Sequence, residues 1–450
     1  MRIHLIAIGG VVMHNLALSL QQNGHNVSGS DDEIYNPARE RLAEAGLLPP
    51  AFGWFPDRIA PDLDLVILGM HARADNPELL RAQELGLPIQ SFPAFIFSQA
   101  QQKKRIVVAG SHGKTTTTAM IMHVLREAGL AFDYLVGSLL DGFGTMVQLS
   151  DAPVIIIEGD EYLSSALDRR PKFLHYRPHL AVVTGIEWDH INVFPTFEEY
   201  KHQFTLLLGN LMPGGQVIFY EKDQVLREIV ENAKANIRPL PYTGLKHEVR
   251  DGKVWVTEPG MAPVAFQVFG EHNMANLHAA QLVCSDLGIE KSEFLRLAAS
   301  FPGTAKRLQI LADEPDFSAW LDFAHAPSKV RATVEAVKQL HPARRLVACL
   351  ELHTFSSLSK HFLPQYRYAL SGADTACVFY SPHTLAMKKM PPLSAEEIRA
   401  GFGSSDLHVF TEKSDMEVFL KNMDRIGTNL LLMSSGNFGG LDVKSVTWAI

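Results

Sequence analysis

Short runs of apolar residues alternate along the chain with glycine-containing turns and helical patterns. The first run, residues 3–8, is followed by Gly9 and Gly10, a helix with leucines four residues apart and a second strand that ends near Ser30. Parallel strands joined by crossover helices produce this alternation. The pattern therefore predicts an α/β fold that opens with a Rossmann-like domain.

Further apolar runs divide the chain into three α/β blocks. A polar stretch at residues 101–104 precedes the second block, and Phe301-Pro302-Gly303 precedes the third. The later runs that predict strands are 65–68, 106–109, 154–157, 180–184, 320–321, 346–350, 376–380 and 430–433. We therefore predict three domains: a Rossmann-like domain over 1–102, a central P-loop ATP-binding domain with a parallel sheet over 103–303, and a Rossmann-like C-terminal domain over 304–450.

Composition excludes several classes of protein. Of the 450 residues, 46% are hydrophobic and 20% are charged, which excludes disordered and collagen-like chains. The 41 basic and 49 acidic residues give a net charge of −8, so no overall positive field would attract nucleic acid. No apolar stretch reaches the roughly 18 residues of a membrane helix, and the three cysteines lack CxxC spacing. We expect a cytoplasmic protein with neither nucleic-acid nor membrane partners.

The segment GSHGKTTT, which begins at Gly110 between a predicted strand and a predicted helix, indicates a phosphate-binding loop. Gly110 and Gly113 would let backbone N–H groups approach phosphate oxygens, and Lys114 would reach the β and γ oxygens. The Thr115 hydroxyl would bind Mg²⁺. The common form of the loop has a glycine where this chain has Val108. We expect ATP as the ligand, the alternative being a structural turn before a core helix.

Acidic residues follow the apolar run at 154–157 directly. They are Glu158, Asp160 and Glu161. If this strand end lies beside the phosphate loop, Glu158 could ligate the Mg²⁺ held by Thr115; a solvated turn is the alternative. Asp189 or His190, after the next apolar run, could complete the metal site, although a lone histidine is more often structural.

The first turn of the chain is a degraded dinucleotide fingerprint. Ala7 and Val12 stand where two of the three glycines would be, so the turn is poor evidence for NAD. Gly9 still permits a tight turn at a helix N-terminus, and Asp31, 22 residues further on, could bind a ribose or a base. We expect a nucleotide diphosphate at this turn.

Two more groups of polar residues are candidates for nucleotide contacts. Asn273 and Asn276 lie three residues apart on one helix face, where they could read a purine edge. Helix capping is the alternative for these amides. Arg307 and Asp322 follow near the start of the third domain, and either could reach a nucleotide across a cleft.

Five motifs resemble the Mur ligase family in their order and spacing, and they span nearly the whole chain. They are GSHGKTTT from Gly110, EGDE from Glu158, IEWDH ending at His190, GEHNMAN ending at Asn276 and SGNFGG from Ser435. The stretches 160–178 and 189–195 are similar to the branch that uses a murein tripeptide. The resemblance implies an ATP-dependent amide ligase of peptidoglycan recycling, which joins L-Ala-γ-D-Glu-meso-diaminopimelate to the lactoyl carboxylate of UDP-N-acetylmuramate through an acyl phosphate.

The resemblance also implies roles for individual residues. Lys114, Glu158 and His190 would be catalytic, and Thr115, Glu158 and His190 would hold Mg²⁺. The residues implied for ATP are Gly110, Ser111, His112, Gly113, Lys114, Thr115, Thr116, Asn273, Asn276, Arg307 and Asp322. The residues implied for the UDP-sugar and the peptide are Gly9, Gly10, Asp31, His175, Ser435 and Phe438.

Three positions depart from the family pattern. Thr205 stands where several relatives carry a modified lysine, so no carbamylated lysine is assigned. Ala326 follows His325 where a second histidine is frequent. Glu351-Leu352-His353 replaces the Glu-Pro-Arg stretch of the tripeptide branch, so peptide recognition is expected to be built differently.

Other functions stay open. The first is the L-alanine-adding ligase of peptidoglycan biosynthesis, which acts on the same UDP-sugar. A folylpolyglutamate-type ligase is disfavoured by the separate N-terminal nucleotide domain. A non-catalytic nucleotide sensor is disfavoured because Lys114, Thr115, Glu158 and His190 are all present. The choice between diaminopimelate and lysine, the preferred divalent ion and the oligomeric state are not predicted.

Overall fold

The computed structural model describes residues 1–188, 193–233, 236–250, 252–305 and 307–447. Contacts divide the chain into two compact units: unit 1 is Met1–Glu187 with Phe197–Tyr242, and unit 2 is Trp188–Thr196 with Thr243–Ile450. Each of the predicted domains holds a sheet of mostly parallel strands, which confirms the α/β fold class. The domain limits at 102/103 and 303/304 stay predictions.

The amino-terminal part of unit 1 is a parallel sheet with helices between its strands. Its elements are β1 (Arg2–Ile6), α1 (Val11–Gln22), β2 (Asn26–Ser30), α2 (Ala38–Glu44), β3 (Leu65–Leu68), α3 (Pro77–Glu84), β4 (Ile89–Ser91) and α4 (Phe92–Gln99). The strand order is β2-β1-β3-β4. Helix α3 begins at Pro77, and the Asn76 side chain accepts two backbone N–H groups of its first turn. The strand predicted at 3–8 ends at Ile6, because Ala7 has a left-handed φ of 68°.

The second sheet of unit 1 carries the phosphate loop. Its elements are β5 (Lys104–Ala109), α5 (Lys114–Glu127), β6 (Asp133–Leu135), β7 (Val147–Gln148), β8 (Val154–Glu158), β9 (Leu180–Val183), α6 (Phe197–Gly209), β10 (Gln216–Tyr220), α7 (Gln224–Glu231) and β11 (Arg238–Tyr242). The order is β11-β10-β9-β5-β8-β6-β7, and β7 is antiparallel to β6. Residues 106–109 and 155–157 are fully buried, as expected for parallel strands covered on both faces. Because β8 and β9 flank β5, the segments that follow these three strands meet at one edge.

The part of unit 2 that follows Thr243 starts with a small antiparallel sheet and two packed helices. These elements are β12 (His247–Arg250), β13 (Lys253–Val256), β14 (Val264–Phe266), α8 (Glu271–Asp286) and α9 (Lys291–Ala298). Gly270 precedes α8 with a φ of 88°, and a Cβ there would lie 2.6 Å from the Cβ of Ala336. The start of α8 is therefore held against a neighbouring helix at a distance that only glycine allows.

The rest of unit 2 is a second parallel-rich sheet. Its elements are β15 (Gln309–Glu314), β16 (Phe317–Asp322), α10 (Pro327–Leu340), β17 (Arg345–Leu352), β18 (Thr375–Tyr380), α11 (Pro382–Met387), α12 (Ala395–Phe402), β19 (His408–Phe410), α13 (Lys413–Lys421), β20 (Thr428–Met433) and α14 (Val443–Thr447). The order is β15-β16-β20-β17-β18-β19, with β15 antiparallel to β16. Strands β17 and β20 are adjacent and parallel, so their carboxyl ends lie side by side.

None of the helices in the described part of the chain combines the length and the apolar character that a bilayer crossing requires.

Candidate functional site

The predicted phosphate loop forms a tight turn between β5 and α5. Gly110 has a φ of 126° and Gly113 a φ of 78°, both in the region that favours glycine. A Cβ on Gly110 would clash with Thr184 Oγ1, so the turn is also too crowded for a side chain. Helix α5 begins after Gly113 without a side-chain cap or an acidic residue in its first turn. Its N-terminus therefore keeps backbone N–H groups and the positive end of the helix dipole for an anion.

The Lys114 side chain folds back over the loop and pairs with a buried carboxylate. Its Nζ lies 2.8 Å from Glu161 Oε2 and donates a 2.6 Å hydrogen bond to the carbonyl of Gly110. Glu161 is completely buried. Burial works to lower the pKa of Lys114, but the charges of Glu161, Asp160 and Glu158 outweigh it, so the pKa is raised and the side chain is cationic.

Tyr200, which lies outside the sequence motifs, completes the hydrogen-bond network around Lys114 and Glu161. Tyr200 of α6 donates a 3.0 Å hydrogen bond to Glu161 Oε1, and its hydroxyl lies 2.8 Å from Ser111 Oγ. Ser111 also donates to the carbonyl of Glu187 at 2.8 Å. The Ser111 side chain is thus tied into the loop framework, and its contact with ATP stays a prediction. The acidic run pointed to Glu161, whereas no sequence signal pointed to Tyr200.

The loop histidine and the second threonine of the helix also lie at this site. His112 Nε2 is 3.0 Å from Glu187 Oε2, and the backbone carbonyl of His112 accepts a short hydrogen bond from Thr184. Thr116 is buried in the first turn of α5. All the loop residues predicted for ATP are therefore gathered around one helix N-terminus, and their nucleotide roles stay predictions.

Thr115 and Glu158 are adjacent, as a shared magnesium site requires. Thr115 Oγ1 donates a 2.8 Å hydrogen bond to Glu158 Oε1, and the N–H of Gly137 donates to Glu158 Oε2 at 2.9 Å. The Thr115 hydroxyl and the Glu158 carboxylate offer hard oxygen ligands, which fit Mg²⁺. His190 and Asp189 lie outside the described residues. Within the described ranges, no group of three or more His, Cys, Asp or Glu side chains is assembled for a metal. A metal there would take its other ligands from phosphate and water.

The first turn of the chain brings its predicted residues together. Gly10 precedes α1, and the N–H of Gly9 donates a 2.7 Å hydrogen bond to Asp31 Oδ2 at the end of β2. Burial is the main cause that raises the pKa of Asp31 to about 6; the Gly9 contact lowers it, and the neighbouring Asp32 raises it further. One oxygen of this carboxylate therefore holds the glycine turn at the edge of the first sheet.

A cavity of about 280 Å³ lies in unit 1, against the segment that follows Glu161. Its lining residues are Met70, His71, Tyr162, Leu163, Ser165, Ala166 and Arg169. His71 and Arg169 are exposed, and the Arg169 guanidinium brings a positive charge to this lining. His175, predicted to bind substrate, is buried and does not line this cavity. Its Nε2 is 3.3 Å from Asp168 Oδ2, and burial is the main cause that lowers the pKa of His175.

In unit 2, the two predicted amides are buried in the first turns of α8. Asn273 donates a 2.9 Å hydrogen bond to the carbonyl of Phe269, and Asn276 donates to Asn273 Oδ1 at 3.4 Å. The Asn273 contact is a bond from the amide N–H to a carbonyl four residues earlier and is not a helix cap, because α8 begins after Gly270 without a side-chain cap. The purine-reading role of both amides stays a prediction.

Asp322 and Arg307 lie near each other in unit 2, with Asp322 at the end of β16. Asp322 accepts hydrogen bonds of 2.7 Å from the N–H groups of both Leu308 and Ala324. The guanidinium of Arg307 lies 4.8 Å from the ring centre of Phe323. The carboxylate of Asp322 thus joins the two loops that carry Arg307 and Phe323. Its predicted contact with ATP would use the lone pairs that these two hydrogen bonds leave free.

Ser435 and Phe438, predicted to bind substrate, follow β20. Phe438 is buried, and its ring packs 6.3 Å from that of Phe379. Its backbone N–H donates a 2.7 Å hydrogen bond to Glu351 Oε2. The Phe438 side chain is therefore part of the core, and only its backbone borders the edge of the sheet.

Comparison with known proteins identifies two family domains in this chain. The catalytic domain of the Mur ligase family matches residues 2–104, and the Mur ligase middle domain matches residues 108–284. These two matches cover the first turn, the phosphate loop and the helix that carries the two amides.

Individual relatives differ in their acceptors. A UDP-N-acetylmuramate–L-alanine ligase from Arthrobacter sp. is 31% identical over 84% of this chain and 80% of its own length. A UDP-N-acetylmuramate–L-alanyl-γ-D-glutamyl-meso-2,6-diaminoheptandioate ligase from Haemophilus influenzae is 27% identical over 98% of both chains. Among solved structures, a murein peptide ligase from Psychrobacter arcticus has a TM-score of 0.66, with 24% identity over 100% of this chain and 99% of that one. That likeness supports the fold.

Proposed function

The chain belongs to the Mur ligase family, whose members are ATP-dependent ligases that form amide bonds, and we propose that it joins the tripeptide L-Ala-γ-D-Glu-meso-diaminopimelate to UDP-N-acetylmuramate. In this reaction the lactoyl carboxylate attacks the γ-phosphate of ATP to give an acyl phosphate, which the acceptor amine then captures. ADP and phosphate are released. The product is the UDP-linked murein tripeptide, made by recycling.

One arrangement carries the proposal: the Lys114 cation, the uncapped N-terminus of α5 and the Thr115–Glu158 pair all lie at the carboxyl edge of one sheet. Phosphoryl transfer to a carboxylate requires cationic and N–H groups, because two anions must approach each other. Magnesium would supply further neutralisation of the phosphates at Thr115 and Glu158.

The cavity beside this arrangement supports a donor site for the sugar nucleotide. Five of its lining residues, from Tyr162 to Arg169, belong to the segment that continues directly from Glu161, whose carboxylate touches Lys114. The Arg169 guanidinium would bind the lactoyl carboxylate of the donor there. Gly9, Gly10 and Asp31 would hold the uridine diphosphate part at the edge of the first sheet, where the helix N-terminus favours an anion.

Two observations bear on the acceptor. The relative from Haemophilus influenzae, named for the tripeptide, aligns over 98% of this chain, and the stretches 160–178 and 189–195 are similar to that branch. The L-alanine ligase stays the second candidate, since the relative with 31% identity carries that name. Both reactions use the same donor, the same nucleotide and the same residues of unit 1.

The test is phosphate release from ATP and Mg²⁺ with UDP-N-acetylmuramate, with either the tripeptide or L-alanine as acceptor under identical conditions. We expect a strong preference for the tripeptide. Preference for L-alanine would move the protein to the biosynthetic reaction, and no release with either acceptor would overturn the ligase assignment. Lys114→Ala is expected to abolish release, whereas Lys201→Ala, which removes a partly exposed lysine paired with Glu198 on α6 of the same unit, should retain it.

A further inference from the structure

Asn15 and Arg41 are two polar side chains of unit 1 that the reaction described above does not use. Asn15 lies within α1 and is completely buried, and Arg41 lies on α2 and is half-buried. Nη1 of Arg41 donates a 2.8 Å hydrogen bond to Oδ1 of Asn15. We refer to this pair of side chains as the brace. Burying such groups is costly unless they are hydrogen-bonded, so the bonds that they make show what they hold together.

The brace joins the first sheet of unit 1 to a distant segment of the second sheet. Nη2 of Arg41 donates a 2.6 Å hydrogen bond to the carbonyl of Gly144, 103 residues away. The N–H of Met146 donates to Oδ1 of Asn15 at 3.0 Å, across 131 residues. The Asn15 nitrogen donates to the carbonyl of Val11 at 2.8 Å, which fixes the orientation of the amide. Side-chain bonds to backbone groups therefore connect the two sheets.

The segment that the brace holds also supports the predicted magnesium site. Residues 136–146 form the loop between the antiparallel strands β6 and β7, and a 2.9 Å backbone hydrogen bond ties the two ends of the loop together. Gly137 of this loop donates its N–H to Oε2 of Glu158, while the other carboxylate oxygen accepts from Thr115. We refer to this loop, Glu158 and Thr115 as the metal edge. The brace is therefore bonded directly to the metal edge.

A buried imidazole connects the brace to the first turn of the chain. Nδ1 of His14 lies 2.9 Å from the carbonyl of Gly10, and because a carbonyl only accepts, Nδ1 carries the proton. Nε2 is left as an acceptor, 3.0 Å from the Asn15 amide nitrogen and 3.5 Å from Nη1 of Arg41. Burial is the main cause that lowers the pKa of His14; the Gly10 bond opposes it and Arg41 adds to it. The ring is therefore neutral at pH 7 and can bridge the turn and the brace.

The cavity of unit 1 has walls from both of the sheets that the brace joins. Met70 and His71 follow β3 of the first sheet, whereas the lining residues from Tyr162 to Arg169 follow β8 of the second sheet. The shape of the cavity therefore depends on how the first sheet is fixed on the second. A ligand that contacts both walls would sense any change in that placement.

We propose that Asn15 and Arg41 are positioning residues for the donor: the brace fixes the first turn of the chain relative to the metal edge, so that one UDP-sugar reaches from the turn to the phosphates of ATP. In the proposed reaction the diphosphate of the donor is held at the first sheet and its reacting carboxylate at the second. A misplacement of about 1 Å between reacting groups can cost a hundredfold in rate. The inference rests on the proposed function, since it concerns the donor of that reaction, and it holds for either acceptor.

Arg41→Ala tests the proposal, because it removes the bonds to Asn15 and Gly144 from a half-exposed position. With all substrates saturating, kcat is expected to fall about tenfold. The dissociation constants of UDP and of AMP-PNP with Mg²⁺ should stay within about twofold of the wild-type values, because each of these ligands binds to one sheet only. Their unchanged binding also shows that the variant is folded. Arg41→Lys keeps the charge and one donor group, so its kcat should lie between those of the wild type and Arg41→Ala.

Arg39→Ala is the matched control. Arg39 lies on the same helix and is exposed, and its guanidinium is 5.6 Å from the ring centre of Phe52, within the amino-terminal part of unit 1. Its kcat and both of its dissociation constants should equal those of the wild type. A wild-type kcat in Arg41→Ala, or a kcat that falls equally in Arg39→Ala and Arg41→Ala, would overturn the proposal.

Titration of UDP-N-acetylmuramate and of UDP onto the full-length protein, without ATP, separates this result from the fate of the proposed function. The wild type should bind UDP-N-acetylmuramate more tightly than UDP, because only the sugar nucleotide with its lactoyl group reaches Arg169. Arg41→Ala should lose about tenfold of this preference while it binds UDP normally, and that result supports the brace even if no amide forms. A wild type without the preference overturns the inference. Phosphate release by a ligase whose Arg41→Ala variant keeps the preference overturns the inference alone and leaves the ligase assignment standing.

Discussion

The Nζ of Lys114 lies 2.8 Å from Oε2 of Glu161, and Glu161 is completely buried while Lys114 keeps 15% of its side chain exposed. The carboxylate therefore holds the cation from the protein side. A polyphosphate at the N-terminus of α5 would meet a lysine that is already charged and oriented. Tyr200 and the carbonyl of Gly110 complete this support.

Replacing Glu161 with glutamine should destabilise the ligand-free protein by about 3 kcal/mol, because it leaves the largely buried charge of Lys114 without its partner. The raised pKa of Lys114 sets the pH dependence. Stability from this pair is fully present below the unfolded pKa of lysine, roughly 10.4, and is lost as the pH rises through the higher folded value. Urea unfolding should therefore give a constant difference between wild type and variant from pH 7 to pH 9.

Glu198→Gln is the control for that experiment. Glu198 pairs with Lys201 at 2.7 Å on the surface of α6, with 74% of its side chain exposed. Its loss should cost less than about 1 kcal/mol. Equal destabilisation by the two variants would contradict the role of the buried pair.

Thr115→Val should raise the Mg²⁺ concentration needed for half-maximal phosphate release about tenfold or more, whereas Thr115→Ser should resemble the wild type. Valine keeps the branched shape but removes the hydroxyl that contacts Glu158. Thr118→Val, in the buried part of the same helix, is the matched control and should leave the Mg²⁺ requirement unchanged. A Mg²⁺ requirement that is the same in Thr115→Val and Thr118→Val would contradict the assignment of this hydroxyl.

Asp31→Asn should stabilise the protein at neutral pH by about 1 kcal/mol, and the gain should vanish near pH 4. The folded pKa of Asp31, about 6, lies above the ordinary value of 3.8, chiefly because of burial. Ionisation of Asp31 therefore lowers the free energy of unfolding, and the loss grows as the pH rises from 4 to 6. Screening by solvent keeps this loss small. Asparagine keeps an oxygen for the Gly9 N–H. Thermal unfolding across this pH range measures the effect; a gain that does not change with pH would contradict it.

The cysteines should be inert in the folded protein. Cys284, Cys349 and Cys377 are all buried free thiols. Burial raises the pKa of Cys284, and contact with Cys377 followed by burial raises that of Cys349, so little thiolate forms. Ellman's reagent at pH 8 should label none within minutes and three after denaturation. Rapid labelling of the native protein would disagree with this core packing.

Local pattern was sufficient for the elements and for the loop. Strand β3 has the bounds predicted for it, because an apolar run of this kind involves only a few consecutive residues. The glycine-rich loop was recognisable for the same reason, since its turn conformation depends on Gly110 and Gly113 themselves. Ala7 is the exception: a left-handed turn occupied by alanine gave no glycine signal and the strand was predicted too long.

Contacts between residues far apart in the sequence left no local pattern from which they could be predicted. The sequence by itself determined the α/β class, the phosphate loop and the acidic run after β8, because each is written in consecutive residues. Only the tertiary structure decided that Glu161 pairs with Lys114, 47 residues away, that Tyr200 joins them, and that Glu351 holds a turn 83 to 87 residues further on. The physical reason is strand order: β8 beside β5 and β20 beside β17 bring these side chains to a common edge, and that order is set by packing of whole sheets.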